Sequence, residues 1–162
     1  MNIRSYQLRD LNALTELTIA TFGPFYENYF RPLVGEVIFH HQHGRWADDY
    51  RVQVPALHDP AAGRHVAVAE TSDGAIAGYV AWTADLARRH GEVVILAVAQ
   101  AHRRHRIGTA LCQHALDDMT RKDVEVVTIG TGATDSFHAP ARKLYESLGC
   151  VPVNVAVYFK QL

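Results

Sequence analysis

The chain has 162 residues, of which 48% are hydrophobic and 20% charged, with a formal net charge of −1. That length suits one domain, 1–162, with a real core, and the missing basic excess argues against a general nucleic-acid binder. Two cysteines, Cys112 and Cys150, are too few for a disulfide framework and lack metal-type spacing, so a reduced, cytoplasmic setting is expected, with neither a signal-type apolar run nor a membrane span in view.

The N-terminal "NIRSYQL" alternates like a short strand. Asp10 then stands where a helix cap is wanted, ahead of an apolar stripe of Leu11, Leu14 and Leu17. The stretch "FGPFYENYF" (22–30) is dense in aromatics and interrupted by Gly-Pro, which predicts a loop or a short helix. Further helix is expected within 33–57, limited by Pro55. "HVAVAE" (65–70) and "AIAGYVAW" (75–82) read as two strands joined by "TSDG", a hairpin signal. "GEVVILAV" (91–98) is a nearly continuous apolar run, the mark of a strand buried on both faces.

A helix opens near Gly108, with Leu111, Cys112, Ala115, Leu116 and Met119 on one side, and Arg121 and Lys122 complementing its dipole. "VEVVTIGTG" (124–132) predicts another strand. A second helix carries Pro140 in its first turn, turns Leu144, Tyr145 and Leu148 inward, and stops at Gly149. "VPVNVAVYF" (151–159) predicts one or two closing strands. The order β-α-α-β-β-β-α-β-α-β describes one α/β sheet of mixed strand direction.

Arg103, Arg104, His105 and Arg106 crowd positive charge against Gly108 at a helix start. Free amides there, together with the helix dipole, make an anion site, and glycine lets the backbone approach closely. The spacing is neither a nucleotide P-loop nor a three-glycine dinucleotide fingerprint. The same run also reads as a solvated basic turn.

"VVILAVAQAHRRHRIGTALCQHAL" resembles the acetyl-CoA-binding core of the GNAT N-acetyltransferase superfamily. The family pattern is Arg/Gln-x-x-Gly-x-Gly/Ala after a strand ending Leu-x-Val; Arg103, Gly108, Leu96 and Val98 match it, and Arg106 replaces the first glycine. "HAPARKLYESLGC" is similar to the family's later helix at Ala141, Leu144, Tyr145 and Gly149, with His138 where asparagine is usual and Cys150 where an aromatic is usual. The resemblance implies a single mixed, mostly antiparallel sheet with helices on both faces and a splayed central parallel pair. It also implies that acetyl-CoA is bound by Leu96, Ala97 and Val98, by the turn Arg103, Arg104, His105, Arg106, Ile107, Gly108, Thr109 and Ala110, and by His138, Ala141 and Arg142. Tyr145 matches the tyrosine that protonates the departing thiolate in the family; as a residue alone it also reads as core packing.

Acetyl transfer to an amine needs a base, and Glu92, a carboxylate in an apolar strand, is the candidate. It lies six residues before Val98, a span of about 20 Å in an extended strand, so it works only through a bulge or through water; an ion pair is the other reading. Aromatics at Phe22, Phe25, Tyr26, Tyr29, Phe30 and Trp46 are interleaved with Glu27, Glu36, Asp48 and Asp49, joined later by Asp135. Among these Phe25, Tyr26, Tyr29, Glu36 and Asp135 are the expected acceptor contacts. Acids among aromatics suit a cationic small amine of the aminoglycoside kind, while core packing and surface acids explain the same residues. A peptide or protein amine and a non-catalytic CoA-binding module stay open as alternatives. His40, His41 and His43 have no completing ligand, and no metal is expected. The last strand, with "VNVAVYF", can pair with a second chain at a sheet edge, so self-association to a homodimer is expected.

Overall fold

In a computed structural model describing residues 1–162, five strands form one sheet in sequence order. β1 (Asn2–Ser5), β2 (Arg64–Glu70), β3 (Ile76–Asp85) and β4 (His90–Val98) run antiparallel to their neighbours, and β5 (Val126–Ile129) joins β4 in parallel. The predicted hairpin is present, with Thr71 N–H bonded to Ala75 C=O at 2.9 Å across its turn. Strand alternation sorts the core. Val66 and Val68 of β2, with Tyr79 and Ala81 of β3, face α1 (Leu11–Phe25). Ala67, Ala69, Ala77 and Val80 face the opposite helix, α5 (Ile107–Arg121).

The alanines on that side leave room for α5 to lie close, and its Leu111, Cys112, Ala115 and Met119 are fully buried. Gly91 of β4 sits directly beneath Met119, whose sulfur would overlap any Cβ there. On the other face Thr18 of α1 and Tyr79 of β3 join hydroxyls at 2.5 Å inside the core. Burial raises the Tyr79 phenol well above its ordinary pKa, so it stays neutral.

One irregularity governs the centre of the sheet. Ala81 is opposite Ile95, but the next residue, Trp82, is opposite Val93, so Val94 is bulged out of the ladder. The bulge reverses the phase of β4: Val93 faces α5, while Ile95 and Ala97 face α1. Pairing with β5 also ends there, at Val93 opposite Ile129, although β4 continues to Val98. The parallel pair is therefore splayed.

Several expectations are corrected. The 22–30 stretch does not break the helix: α1 continues through Gly23 and Pro24 to Phe25, then passes into a π-helical turn, Tyr26–Phe30. Pro24 removes one backbone donor, and the wider turn that follows re-registers the ladder. Gly23 is there for packing, since a Cβ would come within 2.7 Å of the Trp46 ring. The helical region beyond is broken into α2 (Arg31–Val34), α3 (Glu36–His43) and α4 (Trp46–Gln53) by Gly35 (φ +80°) and Gly44. The strand expected over 124–132 shortens to β5. Helix α6 (Ala139–Ser147) follows, and Gly149 in the left-handed region (φ +85°) stops it as expected. The closing strands do not form; residues 150–162 have no regular structure, because no strand of the same chain lies beside them.

Asp10 does not cap α1 with its side chain. Its carboxylate accepts two bonds from Arg4, at 2.8 and 3.0 Å, and one from Gln7 N–H at 2.8 Å. Arg4 also grips Glu70 at 2.9 and 3.1 Å, so one guanidinium ties β1, β2 and the start of α1 together. The Arg4 bonds hold both carboxyls below their ordinary values of 3.8 and 4.5. Carboxyls lowered in the folded chain stabilise it above those values and lose that contribution as pH falls below them. Arg4→Ala leaves Asp10 buried and unpaired, and is expected to cost about 3 kcal/mol at pH 7. Because the lowering goes with Arg4, the variant's stability should also fall less steeply than the wild type's below pH 4.5, measured by denaturant unfolding at a series of pH values.

Candidate functional site

The chain between β4 and α5 leaves an unusual number of amides free. Ala99 N–H bonds Ala77 C=O, and His102 and Arg103 N–H bond the carbonyls three residues back. The six backbone N–H groups from Arg104 to Thr109 then donate to no backbone acceptor. Arg104 (φ +66°) and Arg106 (φ +59°) occupy the left-handed region. Left-handed residues among ordinary ones curl successive amides into a concavity suited to an anion, and the positive end of α5 points into the same place. Ile107 is buried and fixes the helix start in the core, while Thr109 and Ala110 continue its first turn half-buried. Arg103 turns back, its Nε donating to Val98 C=O at 3.2 Å, and His105 Nδ1 lies 2.9 Å from Arg103 C=O.

Beside this nest runs the bare edge of β4. From Val94 to Val98 the side turned toward β5 has no strand partner. Leu96 and Val98 border Gly108, where an added Cβ would lie 3.9 and 3.7 Å from their side chains and 3.0 Å from Leu144 of α6. Strand edge, nest and α6 thus meet at Gly108, where an added Cβ would press on Leu144. An extended ligand carrying its own amides can bond along such an edge, with an anionic group seated at the helix start.

Tyr145 stands on α6. Burial, with Cys112 and Cys150 nearby, pushes its phenol up to about 12, so it is protonated at neutral pH. Its ring lines a cavity of about 340 Å³ between β5 and the chain that follows α6. Cys112 is buried in the core and its thiol is likewise pushed up to about 12, which makes it inert packing.

The aromatic residues of α1 and the π-turn do gather. Phe25 contacts Tyr29, Phe137 and His138, with ring centroids 5.7, 5.7 and 4.7 Å away. Tyr26 stacks on Trp46 at 5.2 Å, and its hydroxyl is 3.3 Å from that of Tyr50. His43 joins this wall, 5.0 Å from both Tyr26 and Phe30, and burial lowers its pKa. The interleaved acids are mostly taken up within the chain. Arg31 bonds Glu27 at 2.8 Å and Glu36 at 2.8 Å; Trp46 Nε1 donates to Glu27, and Asp48 pairs with Arg51. Glu36 therefore lies in a surface ion pair rather than free to meet a ligand.

Asp135 is buried, and its Oδ1 accepts from both the backbone N–H and the ring Nδ1 of His138, each at 2.8 Å. Burial pushes this carboxyl up, but the His138 bonds outweigh it and hold Asp135 below its ordinary value. With Nδ1 engaged, Nε2 is the free nitrogen of the ring. Arg142, expected at the cofactor, donates to Gly132 C=O at 2.6 Å and Asp135 C=O at 2.8 Å, and so shapes this loop. Ala141 is half-buried on the same helix. Any side chain at Gly132 would overlap Asp135 and His138. Glu92 is exposed and without an ion-pair partner, in register with Thr128, and it shares the α1 side of β4 with Val94 at the bulge. Tyr50 and Phe137 were not picked out from the sequence. The four-residue spacing from Trp46 to Tyr50 was a usable helical signal; nothing in the loop pattern marks Phe137.

The model of the acetyltransferase (GNAT) family matches residues 15–150. The chain is 35% identical over 65 residues to an uncharacterized N-acetyltransferase, YsnE, of Bacillus subtilis (strain 168); the match spans 40% of this chain and 42% of that protein's length. The crystal structure of a mutant BH1408 protein from Bacillus halodurans superposes with a TM-score of 0.74 over all of both chains at 16% identity. That of an acetyltransferase of the GNAT family from Staphylococcus aureus gives 0.61 over 91% of this chain and 82% of its own, also at 16% identity. These likenesses show the fold.

Arg106 bears the conformational demand of the nest, so Arg106→Gly should fold with unchanged or higher stability. Arg106→Val, β-branched in a left-handed position, should lose about 1–3 kcal/mol. Thermal unfolding of both variants checks the geometry of the turn.

Proposed function

The chain belongs to the acetyltransferase (GNAT) family, and on that premise we propose that it moves the acetyl group of acetyl-CoA to the primary amine of a small cationic molecule. The observation that carries the reading is the meeting of the amide nest and the bare β4 edge at Gly108, against α6, the helix that also carries the protonated Tyr145. The residues present fit coenzyme A. The free amides from Arg104 to Thr109 suit its diphosphate, with the Arg104 and Arg106 side chains at hand for the outer phosphates. The edge at Leu96, Ala97 and Val98 suits the two amide groups of the pantetheine arm. When bound, acetyl-CoA supplies an acetyl group already activated as a thioester.

The chain's own residues supply the rest. Tyr145 keeps its proton at neutral pH and gives it up at Oη on the leaving-group side. The acceptor must arrive neutral at nitrogen, which requires a base. Glu92 is proposed for it: the bulge at Val94 lies between it and the open edge, and water completes the path. A specific observation favours a second candidate, His138, whose Nδ1 is fixed by Asp135 and whose Nε2 is free. The acceptor rests against the aromatic wall of Phe25, Tyr26 and Tyr29, whose ring faces attract cations. Because Glu27 and Glu36 are already paired with Arg31, the rings rather than the acids make the cationic selection. An aminoglycoside-type amine fits this description; a peptide amine is the competing class. Its partners are this amine and a second copy of the chain.

An acceptor panel with acetyl-CoA, read by mass spectrometry for the gain of one acetyl group, tests the reading. Acetylation of small cationic amines is expected. Cofactor binding without turnover on any acceptor would instead indicate a non-catalytic binding module. Acetyl-CoA should raise the melting temperature of the wild-type chain, and Gly108→Glu should abolish that rise, since it puts bulk and negative charge where the diphosphate belongs. An undiminished rise in the variant would refute the diphosphate placement. Tyr145→Phe should keep the fold and the cofactor-induced rise, yet lower kcat and kcat/KM by roughly 10²–10⁴-fold, the usual worth of a placed acid. Near-normal turnover would take Tyr145 out of the mechanism.

A further inference from the structure

Of the ten histidines only His138 bonds a carboxylate, and that carboxylate, Asp135, is buried. Burial works against the charge, yet the His138 bonds hold the Asp135 carboxyl below its ordinary value, so it is ionised at neutral pH and can only accept. The hydrogen of the 2.8 Å contact therefore sits on Nδ1, which fixes the tautomer and leaves a lone pair on Nε2 of the neutral ring. Several groups of the loop serve this pair. Arg142 holds the Gly132 and Asp135 carbonyls, and the His138 backbone N–H donates to the same Oδ1 at 2.8 Å. Gly132 leaves the room, since a side chain there would overlap both partners.

The pair also stands where a base is needed. His138 has helical backbone angles and precedes Tyr145 by seven residues. Seven residues are two turns, so both side chains project from one face of α6, about 10 Å apart along the axis. The small Ala141 lies between them on that face, and the helical tilt of Cβ leans the longer Tyr145 side chain back toward His138. A proton donor and a proton acceptor thus flank a gap floored by one methyl group. From the other side α1 brings Phe25, whose ring centroid lies 4.7 Å from that of His138. The wall whose rings attract a cation and the ring nitrogen that can take its proton are therefore in contact. Glu92, by contrast, is exposed and unpaired between Thr83 and Thr128 of the neighbouring strands.

We propose that His138 Nε2 takes the proton that the acceptor must lose, that Asp135 is its positioning residue, and that Phe25 brings the cationic amine to it. The proposal rests on the acetyltransferase reading, and within it assigns the base to α6 rather than to β4. Over one turnover a primary ammonium gives up two protons. One passes to His138 Nε2 and then to solvent; the other makes good the proton that Tyr145 Oη releases on the leaving-group side. Attraction and deprotonation then occur at one contact, so a cation is drawn in by Phe25 and neutralised only where it is to react.

On an amine that the wild type acetylates, His138→Ala and His138→Asn should each keep the cofactor-induced rise in melting temperature and lower kcat about 100-fold or more. Added bases should restore turnover to His138→Ala in the order 4-methylimidazole, imidazole, 1,2,4-triazole, which follows basicity and not the filling of space. Asp135→Asn should lower kcat about tenfold or more in the wild type yet cost nothing further in the His138→Ala background, because it acts only through the ring. A carboxylate that merely shapes the loop would cost the same in both backgrounds. Turnover that survives His138→Ala, or that all three bases restore alike, overturns the proposal. So does an Asp135→Asn loss that persists without the histidine, and so does a loss confined to Glu92→Gln. A wild type that binds acetyl-CoA and acetylates no amine defeats the enzymatic reading and this proposal together, a result distinct from a working enzyme indifferent to His138.

Discussion

The bulge at Val94 is the constraint on which the site depends. A regular β4 would keep one alternation throughout and could pair with β5 to its end. The extra residue instead swaps the faces of the strand between Val93 and Ile95. From that point β4 goes on packing against α1 through Ile95 and Ala97, while its ladder to β5 stops. The sheet gives up parallel pairing and gains a bare backbone edge, a common trade at functional sites, where stability is spent on ligand contacts.

The same economy governs the turn that follows. Two arginines held at positive φ cost conformational energy that glycine would avoid. In return the turn keeps two cationic side chains beside the free amides it curls. Ile107 makes this tolerable: buried in the α5 core, it fixes the first helical turn whatever the preceding residues would choose. Gly108 is needed for a different reason. Its φ is ordinary, and what it provides is space, because Leu144 of α6 and the ends of β4 close in around it. The nest, the strand edge and α6 converge there, and an added side chain would press on Leu144.

Much of this was legible in the sequence, and the reasons differ residue by residue. The "TSDG" turn, the basic run into Gly108, Pro140 and Gly149 are punctuation, and punctuation acts locally. The bulge was hidden because every residue from Val93 to Val98 is apolar, so a reversal of phase leaves no trace in the pattern. Pro24 looked like a stop, yet a π-turn absorbs a missing donor when the aromatic packing of Phe25, Tyr26 and Trp46 holds the helix in line. The acids of the N-terminal helices looked available because composition does not show pairing; Arg31 bonds two of them at once. Asp135 and His138 were both picked out singly, for different roles. Their joining depends on the 130–138 loop, which Arg142 folds by gripping two of its carbonyls.

The tail shows a further kind of limit. Its valine alternation has the period of a strand, yet no strand forms there, because strand is a relation between segments and the pattern names no neighbour. Within one chain the nearest free edge, that of β5, lies across a cavity rather than in hydrogen-bonding register. Alternation at 151–159 therefore records a capacity for pairing and not the pairing itself.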